Sequence, residues 1–206
     1  MEIVIEYSIF IPLNIKKGGE KMAWKKTDES KTIEEVILRN TGYSDISKFL
    51  NGSLKVYSIK YLQEAADLIK EAIENGEQIT IVGDYDADGV TASATLSLTL
   101  SKMGAKVKVR LPKRLSEGYG LSTKIVDEIE SGLLITVDNG IVAFDAIKKA
   151  KEKGLKVIVT DHHLLDESGK LPEADIVIDP HIPGTADFAD YCGAGIAYKL
   201  AKLLIP

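Results

Sequence analysis

The chain has 206 residues, 45% of them hydrophobic and 28% charged, with a formal net charge of −5; this is the make-up of a globular domain with a sizeable core. The acidic balance gives no global support for nucleic-acid binding, which must therefore rest on local patches. A single cysteine, Cys192, excludes an intrachain disulfide or a paired-cysteine zinc site and fits a reducing, cytoplasmic setting, and no apolar run approaches the roughly 18 residues that span a membrane.

Residues 1–21 open on an apolar stretch with no basic segment ahead of it and no small-residue cleavage site, unlike a secretory signal. Alternation and β-branched content from Ile3 to Ile11 fit an edge strand. Gly18-Gly19-Glu20, however, can be encoded by a purine-rich ribosome-binding sequence, and Met22 follows soon after. The expectation is that residues 1–21 are translated leader, that translation begins at Met22, and that 22–57 form a short helical extension before a domain at 58–206. Within the extension, residues 32–40 read as a helix with a capping box, Thr32 with Glu35, and residues 44–52 as a second helix stopped by Gly52.

A regular alternation follows. Residues 60–76 place Leu62, Ala65, Ala66, Ile69 and Ile73 on one helical face. Residues 78–83 form an apolar β-branched run leading into Asp84, Asp86 and Asp88. Helix 90–104, strand 105–111, helix 121–132 capped by Ser122, strand 133–138, helix 141–154, strand 155–160, strand 174–179 and helix 193–204 complete the series. Strands alternating with helices predict an α/β fold, a mostly parallel sheet with helices on both faces.

In such a sheet the carboxyl ends of the strands open onto one edge, where ligands bind. Four predicted strands run into Asp84-Tyr85-Asp86-Ala87-Asp88, Asp138-Asn139-Gly140, Asp161-His162-His163 and Asp179-Pro180-His181. One aspartate after a strand is ordinarily a cap or turn residue. The joint pattern gathers at least five carboxylates with imidazoles, which would raise one another's pKa unless cations sat among them. Hard oxygen donors with one or two imidazoles suit Mn²⁺ or Mg²⁺, with zinc or iron as other options. Two ions sharing a carboxylate would form a centre for phosphate-ester hydrolysis. An EF-hand is excluded, because its twelfth position needs Glu and here holds Thr95.

GDYDADG, TVDNG, TDHH and CGAGIAYKL, in that order, closely resemble the DHH phosphoesterase superfamily, and RLPKRLSEGYGL (110–121) resembles its RecJ-like single-strand exonucleases. The resemblance implies a two-metal nuclease of DNA repair and recombination that removes nucleotides from the 5′ end of single-stranded DNA. By motif, Asp84, Asp86, Asp88, Asp138 and His162 are implied metal ligands, with Asp138 bridging. Asp161 would orient His162, and His163 would contact the scissile phosphate. Arg114, Tyr119, Asn139, Gly193 and Gly195 are the implied substrate contacts, with Asn139 and Gly140 shaping the metal loop. Lys102, Lys106, Lys108, Arg110, Lys113 and Arg114 form a basic run that reads either as a solvated strand face or as a phosphate track.

RecJ-like proteins also carry a further metal-binding aspartate and a substrate domain beyond the GAG helix. Neither lies before Leu204-Ile205-Pro206, so one metal site is expected to be incomplete and activity weakened, with Asp179 a partial substitute. Two other functions compete: a DHH hydrolase of short oligonucleotides, cyclic dinucleotides or pyrophosphate, and a non-catalytic binding or scaffold module.

Overall fold

The computed structural model describes residues 10–12, 24–26, 32–42, 44–50 and 57–205. The chain divides into two units, Met1–Val56 and Tyr57–Pro206. In the first, β1 (Phe10–Pro12) pairs antiparallel with β2 (Trp24–Lys26). The rest of the expected strand Ile3–Ile11 and the proposed start at Met22 lie outside the described residues. α1 (Ile33–Thr41) has the capping box foreseen: Thr32 Oγ1 accepts the Glu35 N–H while Glu35 accepts the Thr32 N–H. Gly42 ends it at φ 71°, a conformation that costs glycine nothing. A five-residue helix, α2 (Ile46–Leu50), follows.

The second unit is built on five strands, β3 (Gln78–Val82), β4 (Lys106–Arg110), β5 (Leu133–Val137), β6 (Lys156–Thr160) and β7 (Ile176–Ile178), in the order β4-β3-β5-β6-β7. Every pairing is parallel. The expected class therefore holds, and the sheet is wholly rather than mostly parallel. Period-two side chains divide between two cores. Ile79, Ile81, Leu133, Ile135, Val137 and Ile158 meet the helices α3 (Leu62–Glu74), α4 (Ala87–Lys102) and α7 (Gly193–Leu204) on one face. Val82, Leu134, Val157 and Val159 meet α5 (Thr123–Asp127) and α6 (Phe144–Glu152) on the other. Each fully buried Ile or Leu among these contributes roughly 1.5–3 kcal/mol.

Two departures from the sequence expectation bear on the acidic edge and the core. α4 begins at Ala87, three residues earlier than expected, because Asp86 is its N-cap and accepts the Gly89 N–H at 2.9 Å. α5 ends at Asp127 instead of running toward Gly132, which turns Ile129 into the core. Gly132, at φ 99°, then passes so close to Gln78 that a Cβ would lie 2.1 Å from its carbonyl oxygen. Among the described residues no helix is long and apolar enough to cross a membrane.

Candidate metal centre

Parallel strands deliver their carboxyl ends to one edge, and the acids collect there. Asp84 follows β3, Asp138 follows β5, and Asp161-His162-His163 follow β6. Donor atoms of Asp84, Asp86 and Asp138 lie within 4.8 Å of one another, as do those of Asp138, His162 and His163, so Asp138 belongs to both sets. His162 Nε2 stands 2.9 Å from Asp138 Oδ1 and 3.3 Å from Asp88 Oδ2. Asp84 Oδ1 is buried and lacks any hydrogen bond, and the buried Asp138 Oδ1 has only the His162 ring nitrogen beside it. Buried carboxylate oxygens without partners are costly, and oxygen donors grouped with an imidazole are the ligand chemistry of Mn²⁺ or Mg²⁺. The residues present therefore fit a divalent-cation site.

The fold aims these groups closely. Asp138 has φ 62°, a left-handed conformation that aspartate tolerates better than most residues. The Tyr119 hydroxyl donates to its carbonyl oxygen at 3.0 Å. Asn139 is buried and wholly engaged within the protein: its amide nitrogen donates to the Val82 and Val137 carbonyls, and its Oδ1 accepts the Leu121 N–H. It thus ties three loops together, which fits the expected part in shaping the loop after β5.

Gly193 lies against two of the acids. It is buried, a Cβ there would lie 2.6 Å from that of Asp138, and its N–H donates to Asp88 Oδ2 at 2.7 Å while the Ala194 N–H donates to Asp88 Oδ1 at 2.8 Å. Gly195 lies one turn into α7 beside Tyr191 and Cys192. The Asp161 carboxylate holds the His163 ring, Nδ1 at 2.7 Å, and reaches only the backbone N–H of His162; the ring it orients is His163, not His162. Its other oxygen accepts the Ile141 N–H.

Arg114 and Tyr119 stand exposed beside the cluster. The Arg114 guanidinium lies 5.2 Å over the Tyr85 ring, Tyr85 meets Tyr119 edge-on, and Tyr119 meets His163 edge-on. Tyr85 was not singled out from the sequence; its place between Asp84 and Asp86 was the available signal. The basic run does not form one track. Lys102 and Lys106 sit at the amino end of β4, the edge opposite the acids, where Lys106 binds the Gly76 carbonyl. Arg110 is clamped by Glu117 at 2.7 Å and Glu128 at 2.9 Å. Asp179 is buried on β7's carboxyl side and joins neither donor set.

Burial, with the charges of Asp88 and Asp86, pushes the Asp138 carboxyl up to about 8. The hydrogen bond that His163 donates to the Asp161 carboxylate lifts its pKa up to about 9. Raised above its ordinary value near 3.9, Asp138 contributes stability that is complete below about pH 4 and lost as pH rises through 8; His163 contributes stability that is complete below about 6.5 and lost through 9. In EDTA, stability from urea melts is therefore expected to fall between pH 6.5 and 8, with the buried Asp138 carboxyl giving a slope of up to about 1.4 kcal/mol per pH unit and the half-exposed His163 less, because solvent screens it. Asp138→Asn should flatten that slope; an unchanged slope would show that the carboxyl is not raised.

Residues 78–205 match the profile of the DHH family, N-terminal domain. The single-stranded-DNA-specific exonuclease RecJ of Bacillus subtilis is 44% identical over 153 residues, 72% of this chain but 19% of that protein. A crystal structure of exonuclease RecJ bound to manganese superposes with a TM-score of 0.66 at 38% identity, covering 74% of this chain and 39% of that one. RecJ of Thermus thermophilus in complex with Mn²⁺ gives 0.65 at 32% identity, covering 82% and 24%. The chain thus spans well under half of these relatives' length. With the profile matched from β3 through α7 and the acidic edge assembled, this chain belongs to the DHH family, of which it carries the N-terminal domain.

Proposed function

We propose that the chain is the metal-binding half of a 5′-to-3′ exonuclease on single-stranded DNA, with residues 58–206 as the catalytic unit. The observation that carries this is the pair of donor sets sharing Asp138, with a buried oxygen of Asp84 beside it that has no hydrogen bond. Asp84, Asp86 and Asp138 would hold one divalent cation, Mn²⁺ or Mg²⁺, and Asp138, His162 and Asp88 a second. Bound there, such ions supply Lewis acidity and lower the pKa of water for in-line displacement at phosphorus. Asp161 fixes His163 at Nδ1, and the half-exposed ring, whose Nε2 lies 3.2 Å from the Tyr119 hydroxyl, would turn that donor to a phosphate oxygen when substrate binds. Arg114, which makes no ion pair among the described residues, and the rings of Tyr85 and Tyr119 offer a cationic, aromatic approach suited to a single strand. The exposed free Cys192 fits a cytoplasmic setting.

The test is a Mn²⁺-dependent assay on 5′-labelled single strands, run beside duplexes, short oligonucleotides, cyclic dinucleotides and pyrophosphate. Release of 5′ nucleotides from single strands supports the proposal. Turnover of the small substrates alone would replace it with a small-molecule hydrolase, and tight Mn²⁺ binding without turnover of any substrate would replace it with a scaffold.

A further inference from the structure

The start of α7 touches two of the site's carboxylates at once. Gly193 packs on Asp138, and the Gly193 and Ala194 amides hold both oxygens of Asp88. Little in the helix's own sequence fixes that start, since the N-cap Cys192 makes no side-chain capping bond. Its position depends on the preceding loop, residues 185–191, and that loop is gripped by a short strap, residues 57–60.

The grip is dense. Ile59 forms an antiparallel bridge with Ala186. The Lys60 N–H donates to the Thr185 carbonyl at 2.8 Å, and the Asp187 N–H to the Ser58 carbonyl at 3.2 Å. The Ser58 N–H and hydroxyl both donate to Asp187 Oδ2. Tyr57 stacks on Phe188 with centroids 4.9 Å apart. The Tyr57 carbonyl accepts from the Tyr191 hydroxyl and from Lys199 Nζ, which itself lies 5.3 Å over the Tyr191 ring. Lys199 belongs to α7, so one lysine ties strap, loop and helix together.

We propose that Tyr57–Lys60 and Lys199 are positioning residues for the cation centre: the strap sets the loop, the loop sets the start of α7, and α7 sets Asp88 and Asp138. This rests on the cation-binding role proposed above. Groups that orient metal ligands from outside alter affinity about 10–100-fold when removed, and coupling of this kind acts equally in both directions. Cation binding should therefore tighten the strap as much as the strap tightens cation binding.

The experiment titrates Mn²⁺ into the full chain by calorimetry. Lys199→Met is expected to raise the Kd about ten-fold, with Lys199→Arg recovering most of it. Lys151→Met, which breaks the ion pair with Asp175 elsewhere in the unit, is the control: it should lower the melting temperature and leave the Kd alone. Independently of any variant, Mn²⁺ should slow hydrogen exchange at the Ser58 and Lys60 amides of the wild type, so the proposal stays testable if Lys199→Met does not fold. Wild type that binds Mn²⁺, with Lys199→Met binding equally well or with exchange at 58–60 unmoved, overturns the coupling alone. Wild type that takes up no Mn²⁺ overturns the coupling and the cation-binding role together.

Discussion

Asp138→Asn is expected to abolish Mn²⁺-dependent hydrolysis while making the metal-free protein more stable at pH 8. Asn matches Asp in size and tolerates the left-handed backbone at φ 62°, so the β5 loop should keep its path. What disappears is the charge shared by the two donor sets. If Asp138 bridges two cations as proposed, its loss removes several kcal/mol of transition-state stabilisation, at least about a thousand-fold in rate. In the metal-free protein the same carboxyl is a burden, because burial and its acidic neighbours hold its pKa up to about 8 and ionising it there opposes folding. Removing a strained functional group commonly trades activity for stability in this way. Three measurements check it together: no Mn²⁺-induced rise in melting temperature, no nucleotide release, and a higher metal-free melting temperature than wild type at pH 8. A variant that hydrolysed at a tenth of the wild-type rate would remove Asp138 from the centre of the site.

The second large effect is expected at Gly89. A Cβ built there would lie 2.6 Å from both the backbone nitrogen and the carbonyl oxygen of Asp84. Backbone cannot swing aside as a flexible side chain does, so Gly89→Ala must push the first turn of α4 away from the end of β3. Overpacking of this kind costs typically about 1–3 kcal/mol, which for a chain of this size lowers the melting temperature by about 2–12 °C. The metal consequence should exceed the stability consequence, because the displaced segment carries Asp84, Asp86 and Asp88 together. Calorimetric Mn²⁺ affinity is expected to fall at least about ten-fold. Unchanged affinity in a destabilised protein would mean that the loop's carboxylates do not need this contact.

The sheet was legible because a buried parallel strand announces itself as a β-branched run, and the acids that follow such runs must share an edge. Less visible was how their charges are tolerated. The sequence reads residues 84–89 as a loop of repelling carboxylates. In the structure Asp86 caps α4, Asp88 lies in its first turn, and Asp88 also accepts two amides from the start of α7. Helix amino termini favour negative charge, so part of the repulsion is answered by peptide dipoles before any cation arrives. Local spacing shows the first of these contacts and cannot show the second, whose partners are 105 and 106 residues apart. The same limit applies to Gly193 and Asn139: motif resemblance placed them near substrate, and only tertiary packing shows which groups they touch. Arg110 looked available because alternation sets it beside Lys108, yet Glu117 and Glu128 reach it from later turns.

That long span between Asp88 and the amides that grip it has a consequence for biosynthesis. A ribosome adding about 5–20 residues per second leaves the acidic turn without its partners for roughly 5–20 s before Gly193 has even been polymerised. During that interval the aspartates can attract ions only as a flexible polyanion does, weakly and without discrimination. The geometry that these aspartates offer a cation is therefore set only once the start of α7 has been made and packed against Asp88.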